Sequence, residues 1–462
     1  MQRGPAHRYL RFGIALFLVA FALTACRWVI EPPGERTERE KAERARAIYA
    51  VPVEKRPLPE LTTSASLPSV LEYAFNASGN LEMAYREWRA AIERIPQAGA
   101  LPNTRLDFRY MLSAENMKSF GGALSGISVM VEQEFPARAK REKRAELALL
   151  EAQATGERFR AAKYRLQKQV VQAYADVALN EALLGQTSET LRLLRETVEV
   201  ALHRFHAMEA EGLADLSKLE VEIQTVESEQ RSLQIARGKL IAELHGVLNR
   251  PPDAKLGTVS LPEIRESPEP APELFARAVR RNPELAALQK EIEARGAGQV
   301  LAELEKKRDY SVGGGLEQLS PAISLSLSLP LNRARIRAGI AEALALRESA
   351  GARFRDAASD VQARVVMALA GISDADRILS DYRDRIIPKA RELLRTQINT
   401  YGSGGGDILD ILDTERLLVD FRKLTLRAEA DRLRFLAELE EAVGDDLFNF
   451  VPAGQKPQEP HP

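Results

Sequence analysis

The sequence has few of the residues from which catalytic and metal centres are usually built. It contains one cysteine and five histidines among 462 residues. A single cysteine excludes an internal disulfide and a multi-cysteine metal site, and five histidines leave little room for a histidine-based centre. No Ser-His-Asp grouping can be read from the chain either. We therefore expect no catalytic residue, no metal ligand and no cofactor, and we expect the protein not to be an enzyme.

Aromatic residues and net charge are also scarce, which narrows the class of protein. Aromatics make up 6% of the chain, hydrophobic residues 45% and charged residues 28%. This balance favours long solvated helices, and it excludes a disordered chain and a multi-span helical membrane protein. The net charge is −1, so a nucleic-acid partner bound through bulk charge is not expected.

The N-terminus has the pattern of an exported lipoprotein. Residues 1–11 carry three arginines and no acid, and the apolar run that follows covers residues 12–22. That run is about half the ~20 residues that a membrane-spanning helix needs, so residues 1–25 are predicted to be a signal peptide. Leu23-Thr24-Ala25-Cys26 resembles the bacterial lipobox, in which the cysteine is acylated. The residue after Cys26 is Arg27. In enterobacterial lipoproteins an Asp at that position is associated with retention in the inner membrane, so by this resemblance Arg27 is compatible with export to the outer membrane.

Proline-rich stretches divide the rest of the chain into two halves. We expect a lipidated, extended leader over 26–66, a first repeat over 67–250 and a connector over 251–271. A second repeat over 272–450 and a disordered tail over 451–462 complete the chain. Matching landmarks recur at Pro136 and Pro330, 194 positions apart, and at Asp215 and Asp410, 195 positions apart. The near-constant offset predicts an internal duplication.

Four short segments alternate apolar and polar residues, which predicts β-strands near 104–112, 123–135, 309–317 and 322–331. The alternation is clearest over 323–329 and weakest at Gly313-Gly314-Gly315. Strands of roughly 9–11 residues can cross a bilayer when tilted, although a half-buried soluble sheet has the same pattern. Four strands cannot close a barrel in lipid, so membrane-spanning strands would have to be pooled from two or more copies.

The remaining segments predict long helices with narrow apolar seams. Seam residues recur every three, four or seven positions before the two turns at Leu191, Leu194, Val198, Ala201 and Phe205, and at Leu379, Tyr382, Ile386, Leu393 and Gln397. After the turns they recur at Leu216, Leu219, Ile223, Val226, Leu233, Leu240, Leu244 and Val247, and at Leu417, Phe421, Leu424, Ala428, Phe435 and Leu439. Glycine turns at 211–214 and 403–406 would join each pair of helices into a hairpin. The predicted fold class is mainly α with a small β part, built from a duplicated unit of two β-strands plus long coiled-coil helices.

The order of these landmarks resembles the TolC family of outer-membrane efflux ducts. Residues 401–413 read Tyr-Gly-Ser-Gly-Gly-Gly-Asp-Ile-Leu-Asp-Ile-Leu-Asp. They look like a family segment in which a Tyr is followed three residues later by a Gly and then by Asp-hydrophobic-Leu-Asp. Residues 282–285, Asn-Pro-Glu-Leu, and residues 247–252 match two further family segments. The resemblance covers about 67–447. It implies a homotrimer with a 12-strand β-barrel, continued by a periplasmic α-helical tunnel that meets an adaptor protein and an inner-membrane pump.

The resemblance also assigns roles to particular residues. Gly212, Leu213, Gly404 and Gly405 become contacts for the adaptor at the tips of the hairpins. Asp410, Asp413 and Asp215 become candidates for an aperture or gate, where a ring of carboxylates would favour cations. His203, His206 and Glu209 have a spacing that could chelate a metal, but we interpret them as surface groups.

We therefore expect a lipoprotein, anchored at Cys26 in the outer membrane of a Gram-negative bacterium, that acts as the exit duct of a tripartite efflux or export system. A periplasmic coiled-coil scaffold or tethering lipoprotein with no pore would share most of these features. A lipoprotein enzyme is the third hypothesis, for which the sequence offers no active site.

Overall fold

The computed structural model describes residues 29–110, 127–207, 209–264, 268–317, 320–403, 405–448 and 450. Within helices and strands, the side chains of 47, 127, 200, 203–207 and 209–215 are outside this description. The fold is mainly α with one small antiparallel sheet, as the sequence predicts. Its elements, in chain order, are α1 (Glu35–Tyr49), α2 (Leu67–Ala77), α3 (Gly79–Gly99), β1 (Arg105–Tyr110), β2 (Ile127–Phe135), α4 (Arg138–Ala207), α5 (Glu209–Val247), α6 (Ala271–Arg281), α7 (Pro283–Leu304), β3 (Asp309–Glu317), β4 (Ser320–Ser328), α8 (Arg333–Asp381), a π-helical turn (Tyr382–Ile386), α9 (Ile387–Gly402) and α10 (Ile408–Val443).

The same order of elements occurs twice along the chain. Two helices, α2 and α3, precede the strands β1 and β2, and the long helices α4 and α5 follow them. Helices α6 and α7, strands β3 and β4, and helices α8 to α10 repeat that order. Among the described residues, no helix is both long enough and apolar enough to span a membrane.

The chain divides into two compact units, of which the first contains the sheet. This unit comprises residues 1–46, 84–158 and 284–356. The four strands pair in sequence order, β1-β2-β3-β4, and every pair is antiparallel. Asp309, the first residue of β3, accepts hydrogen bonds from the backbone N–H of Ala137 at 2.8 Å and from Lys140 Nζ at 2.7 Å. Because Lys140 is almost fully buried, this contact fixes the start of α4 to the sheet.

The second unit comprises 47–83, 159–283 and 357–462, and its described residues are mainly helical. The Asn-Pro pair at 282–283 forms a break between helices, because Asn282 ends α6 and Pro283 begins α7. The side chain of Asn282 donates a hydrogen bond to the carbonyl of Ala442 at 2.8 Å. Gly444 ends α10 with a φ of +73°, and a side chain there would collide with Pro283. Glycine therefore supplies both the left-handed backbone and the close approach.

Two elements differ from the sequence-based expectation. The leader expected to be extended contains α1, whose Arg39 pairs with Glu35 at 2.9 Å and whose Glu38 accepts from Trp88 Nε1 at 2.8 Å. Its stability comes from charge pairs and two buried residues, Ala42 and Tyr49, which leave little apolar periodicity to detect.

The turn expected at 211–214 is also wrong in position, because these residues have helical backbone inside α5. A single glycine inside a helix costs only about 1 kcal/mol, so Gly212 does not by itself end the helix.

Candidate functional site

The sheet carries large apolar side chains on one face, and most of them are exposed. Leu106 and Phe108 in β1 are 67% and 69% exposed, and Ile323 and Leu325 in β4 are 79% and 77% exposed. The cross-strand register places them on the same face as Tyr110, Val129, Val131, Phe135, Tyr310, Val312, Leu316, Pro321 and Leu327. Exposed apolar surface on this scale marks a contact with lipid or with another protein.

The opposite face of the sheet is polar. Ser311 donates to Glu132, and Arg105 Nη1 lies 3.9 Å from Glu132 Oε2. The charged residues of this face, within the described strands, are two arginines and five acids: Arg105, Arg109, Asp107, Glu132, Glu134, Asp309 and Glu317. The formal charge is therefore 2 − 5 = −3, and this face would favour cations over anions.

Two glycines of β3 allow the strands to approach closely on the polar face. A Cβ added to Gly315 would collide with the carbonyl oxygen of Val129, and one added to Gly313 would collide with Ser324 Oγ. The alternation of apolar and polar residues is weakest at this glycine run. The sheet nevertheless requires Gly313 and Gly315 there for steric reasons.

The two outer strands, β1 and β4, each have one edge without a partner strand in the sheet. β4 ends at Ser328, before the expected 331, because Pro330 has no N–H with which to continue the ladder. The outer parts of the first two predicted strands, 111–112 and 123–126, lie outside the described residues. Within the described residues, the sheet therefore has an apolar face and two edges with no partner strand.

In the second unit, a turn joins α9 to α10. Gly405 donates to the carbonyl of Thr400 at 3.0 Å, Gly406 has a φ of +75°, and Asp407 caps α10 by accepting from the N–H of Leu409 at 3.0 Å. Gly405 is exposed, as a contact residue must be. Gly404 lies outside the described residues.

Beside this turn, helices α4, α5, α9 and α10 share one apolar cluster. Its buried members are Leu191, Leu194, Ala201, Leu219, Val226, Tyr401, Ile408, Ile411 and Leu412. The cluster includes most of the seams predicted for α4 and α5, so those coiled-coil contacts are confirmed. The predictions of Leu393 and Leu417 as seam residues are wrong, because these side chains are 51% and 50% exposed. Their neighbours take the seam positions instead: Leu394 packs against the cluster and Leu418 is buried.

The two aspartates predicted as a gate lie on the exposed face of α10. Asp410 is in the first turn and exposed, and Asp413 is 68% exposed in its side chain. Arg416 Nη1 lies 3.3 Å from Asp413 Oδ1, and Arg416 Nη2 lies 2.5 Å from Glu222 Oε2 on α5. Asp413 is therefore partly neutralised, whereas the structure gives Asp410 no ion pair within the described part of the chain.

Glu415 is a carboxyl group in the same helix that the sequence reasoning missed. Its Oε2 is buried and has no hydrogen-bond partner among the described residues. Burial, followed by the negative charge of Glu222, raises the pKa of Glu415 to about 7. Glu415 is seven positions after the buried Ile408, so it occupies a seam position of the helix. An acid at a seam position was the signal in the sequence that could have identified it.

The other predicted site residues lie beyond what the structure describes. Cys26 precedes the first described residue, and the side chains of Gly212, Leu213 and Asp215 in α5 are not described. The same holds for His203, His206 and Glu209. In the described ranges, no group of three or more metal-ligating residues could hold a metal ion.

The fold is similar to those of solved outer-membrane channels. The outer membrane protein VceC from Vibrio cholerae has a TM-score of 0.68 and 19% identity, covering 82% of this chain and 96% of VceC. CusC, a transmembrane channel, has a TM-score of 0.68 and 16% identity, covering 85% and 96%. The open-state channel MtrE from Neisseria gonorrhoeae has a TM-score of 0.66 and 18% identity, covering 86% and 96%.

These structural neighbours are TolC-family outer-membrane channels, so the family resemblance predicted from the sequence is confirmed for the fold. No family model matches the sequence, and no curated protein matches it.

Proposed function

We propose that the protein is the outer-membrane exit duct of a tripartite efflux or export system. It passes substrate passively from a periplasmic adaptor and an inner-membrane pump to the outside, and it has no enzymatic step. The observation that carries the proposal is the four-stranded sheet with an exposed apolar face and an acidic polar face. The likeness to outer-membrane channels supports it.

Lipid is the environment that suits the apolar face, and a sheet with open edges in lipid requires several copies of the chain to assemble. An open strand edge in lipid leaves backbone groups without partners, at several kcal/mol each. Copies of the chain must therefore share strands, and eight strands is the smallest barrel. Three copies supply twelve strands, with the apolar faces toward lipid and the polar faces toward a lumen. The chain is thus a homotrimer in this proposal, and its helices form a periplasmic tunnel.

The lipid anchor and the partner contacts belong to the same proposal. Cys26 carries the covalent lipid, and Gly405, with Gly404, Gly212 and Leu213, contacts the adaptor. Asp410, Asp413 and Asp215 line the aperture. A scaffold lipoprotein without a pore has a different use for the sheet: its apolar face would be covered by another protein.

Blocking lipidation distinguishes the duct from the scaffold. A Cys26→Ala variant with a replacement signal peptide is expected to stay in the outer-membrane fraction and to require detergent for extraction, because the sheet itself holds it in lipid. The measurement is alkaline and high-salt washing of membranes followed by immunoblotting. Release of the variant into the soluble fraction would contradict the duct and favour the scaffold.

A further inference from the structure

The acid Glu415 and its neighbour Glu222 form an unusual pair beside the α9–α10 turn. They lie on different helices, α10 and α5, and both helices contribute residues to the apolar cluster that they share with α4 and α9. Glu222 is 13% exposed in its side chain and is held by Arg416. Glu415 has a buried oxygen with no partner in the described chain, whereas Arg416 pairs with Glu222 and Asp413.

The surrounding helices carry several other charged groups. On α4, Arg192 pairs with Glu189 and Glu196, and Arg195 pairs with Glu227 of α5. On α9, Lys389, Arg391, Glu392 and Arg395 are exposed, and Gln397 is uncharged. Within five positions of Glu222 or Glu415, the charged residues of α5 and α10 are Lys218, Glu220, Glu227, Asp410, Asp413, Arg416 and Asp420. Of all these charges, that of Glu222 is the one that raises the pKa of Glu415.

We propose that the Glu222–Glu415 pair is a proton-operated switch that controls how tightly α10 packs against α5 beside the α9–α10 turn. With Glu415 protonated, its neutral carboxyl group is compatible with the apolar cluster. With Glu415 ionised, a second negative charge lies next to Glu222 in a poorly solvated position, and separation of the helices relieves the repulsion.

The direction of the pH dependence follows from the raised pKa of Glu415. In an opened or unfolded hairpin this carboxyl group returns toward the ordinary value of 4.5, whereas in the packed state its pKa is about 7. The packed state therefore binds more protons between these two values, and its stability falls as pH rises through that range. The hairpin is tightest below pH 4.5, loosens as the pH rises toward 7, and changes little at higher pH.

Hydrogen exchange measured from pH 5 to pH 8.5 tests the switch directly. In the full-length protein in detergent, the opening constant for amides at 408–420 is expected to rise about tenfold between pH 6 and pH 8, after correction for intrinsic exchange. The Glu415→Gln variant, which has the same shape and no charge, is expected to lose this rise. Glu220→Gln, the same change on the exposed side of α5, is the matched control and keeps it.

A second variant tests the role of the neighbouring carboxylate. Glu222→Gln removes the repelling charge and frees Arg416, so the midpoint of the pH profile is expected to move to lower pH. An opening constant that stays flat between pH 6 and pH 8, or a profile unchanged in Glu415→Gln, would overturn the proposal. So would a Glu222→Gln midpoint that does not move.

The predicted effect on transport rests on the proposed function, and the experiment distinguishes failure of the switch from failure of the duct. If the α9–α10 turn lies at the aperture, conductance in planar bilayers should rise with pH in step with hydrogen exchange, and Glu415→Gln should remove that dependence. A pH-dependent opening with no conductance at any pH would contradict the duct and leave the switch standing.

Discussion

Three acidic residues within six positions of α10 have different surroundings. Asp410 and Asp413 face solvent, and Asp413 shares Arg416 with Glu222. Glu415 lies two residues farther along, with one oxygen buried and without a hydrogen-bond partner in the described part of the chain. Because exposed carboxylates attract mobile cations and buried ones respond to protons, the first two suit an ion pathway and the third suits a switch.

Removal of the two exposed aspartates should change conduction. In the proposed trimer, Asp410 and Asp413 contribute six carboxylates around a narrow opening. The double variant Asp410→Ala/Asp413→Ala is expected to have a higher single-channel conductance and a weaker preference for cations. Planar-bilayer recording of conductance and of reversal potential in a salt gradient measures both.

The matched control for this pair is Asp420→Ala, an exposed aspartate farther along the same helix. Values for the double variant that equal those of the wild type and of this control would remove the two aspartates from the aperture.

The sequence predicts some of these residues and misses others for a physical reason. Asp410 and Asp413 belong to a short segment that resembles a family, so a local pattern was enough to select them. Glu222 and Arg416 are 194 positions apart and meet only when α5 packs against α10. Contacts of that kind depend on helix rotation, which the composition of one helix does not determine.

At the scale of elements, the sheet is the feature that sets this chain apart from a purely helical coiled coil. Successive residues along each strand lie on opposite faces of the sheet, as the period of two requires. Leu325 and Ser326 are adjacent in β4, pair with Val312 and Ser311 of β3, and lie on opposite faces. The same substitution at these two positions therefore tests which face contacts lipid.

Arginine substitutions at neighbouring positions should have opposite outcomes. Leu325→Arg places a charge on the apolar face, at a cost of about 2–4 kcal/mol near the middle of a bilayer, and is expected to reduce assembly in the outer membrane strongly. Ser326→Arg places the same charge on the polar face and is expected to be tolerated. The amount of folded oligomer in purified outer membranes measures both.

Equal tolerance of the two variants, or greater damage from Ser326→Arg, would show that the apolar face does not contact lipid.

The elements themselves were predictable to different degrees. Alternation over 323–329 and the seams of α4 and α5 gave strands and helices that the structure contains. Helix α1 was missed because it is stabilised by charge pairs, and the turn in the first hairpin was misplaced because Gly212 is accommodated in a helix. The π-helical turn at Tyr382–Ile386, just before Pro388, has no periodic signature, since one extra residue in a turn does not change the apolar pattern around it.

At the scale of the whole molecule, the proposed function is that of a passive duct. The proposed duct needs three copies to complete its barrel, so its activity depends on assembly. The Glu222–Glu415 pair then adds a response to pH without any chemical step.

Planar-bilayer conductance of the purified protein, with its mass in detergent determined on the same sample, tests the central claim most directly. The account predicts a trimer that gives discrete, cation-selective conductance steps, larger at pH 8 than at pH 6. A monomer that stays soluble without detergent once Cys26 is replaced by alanine, and that gives no steps at either pH, would contradict the duct.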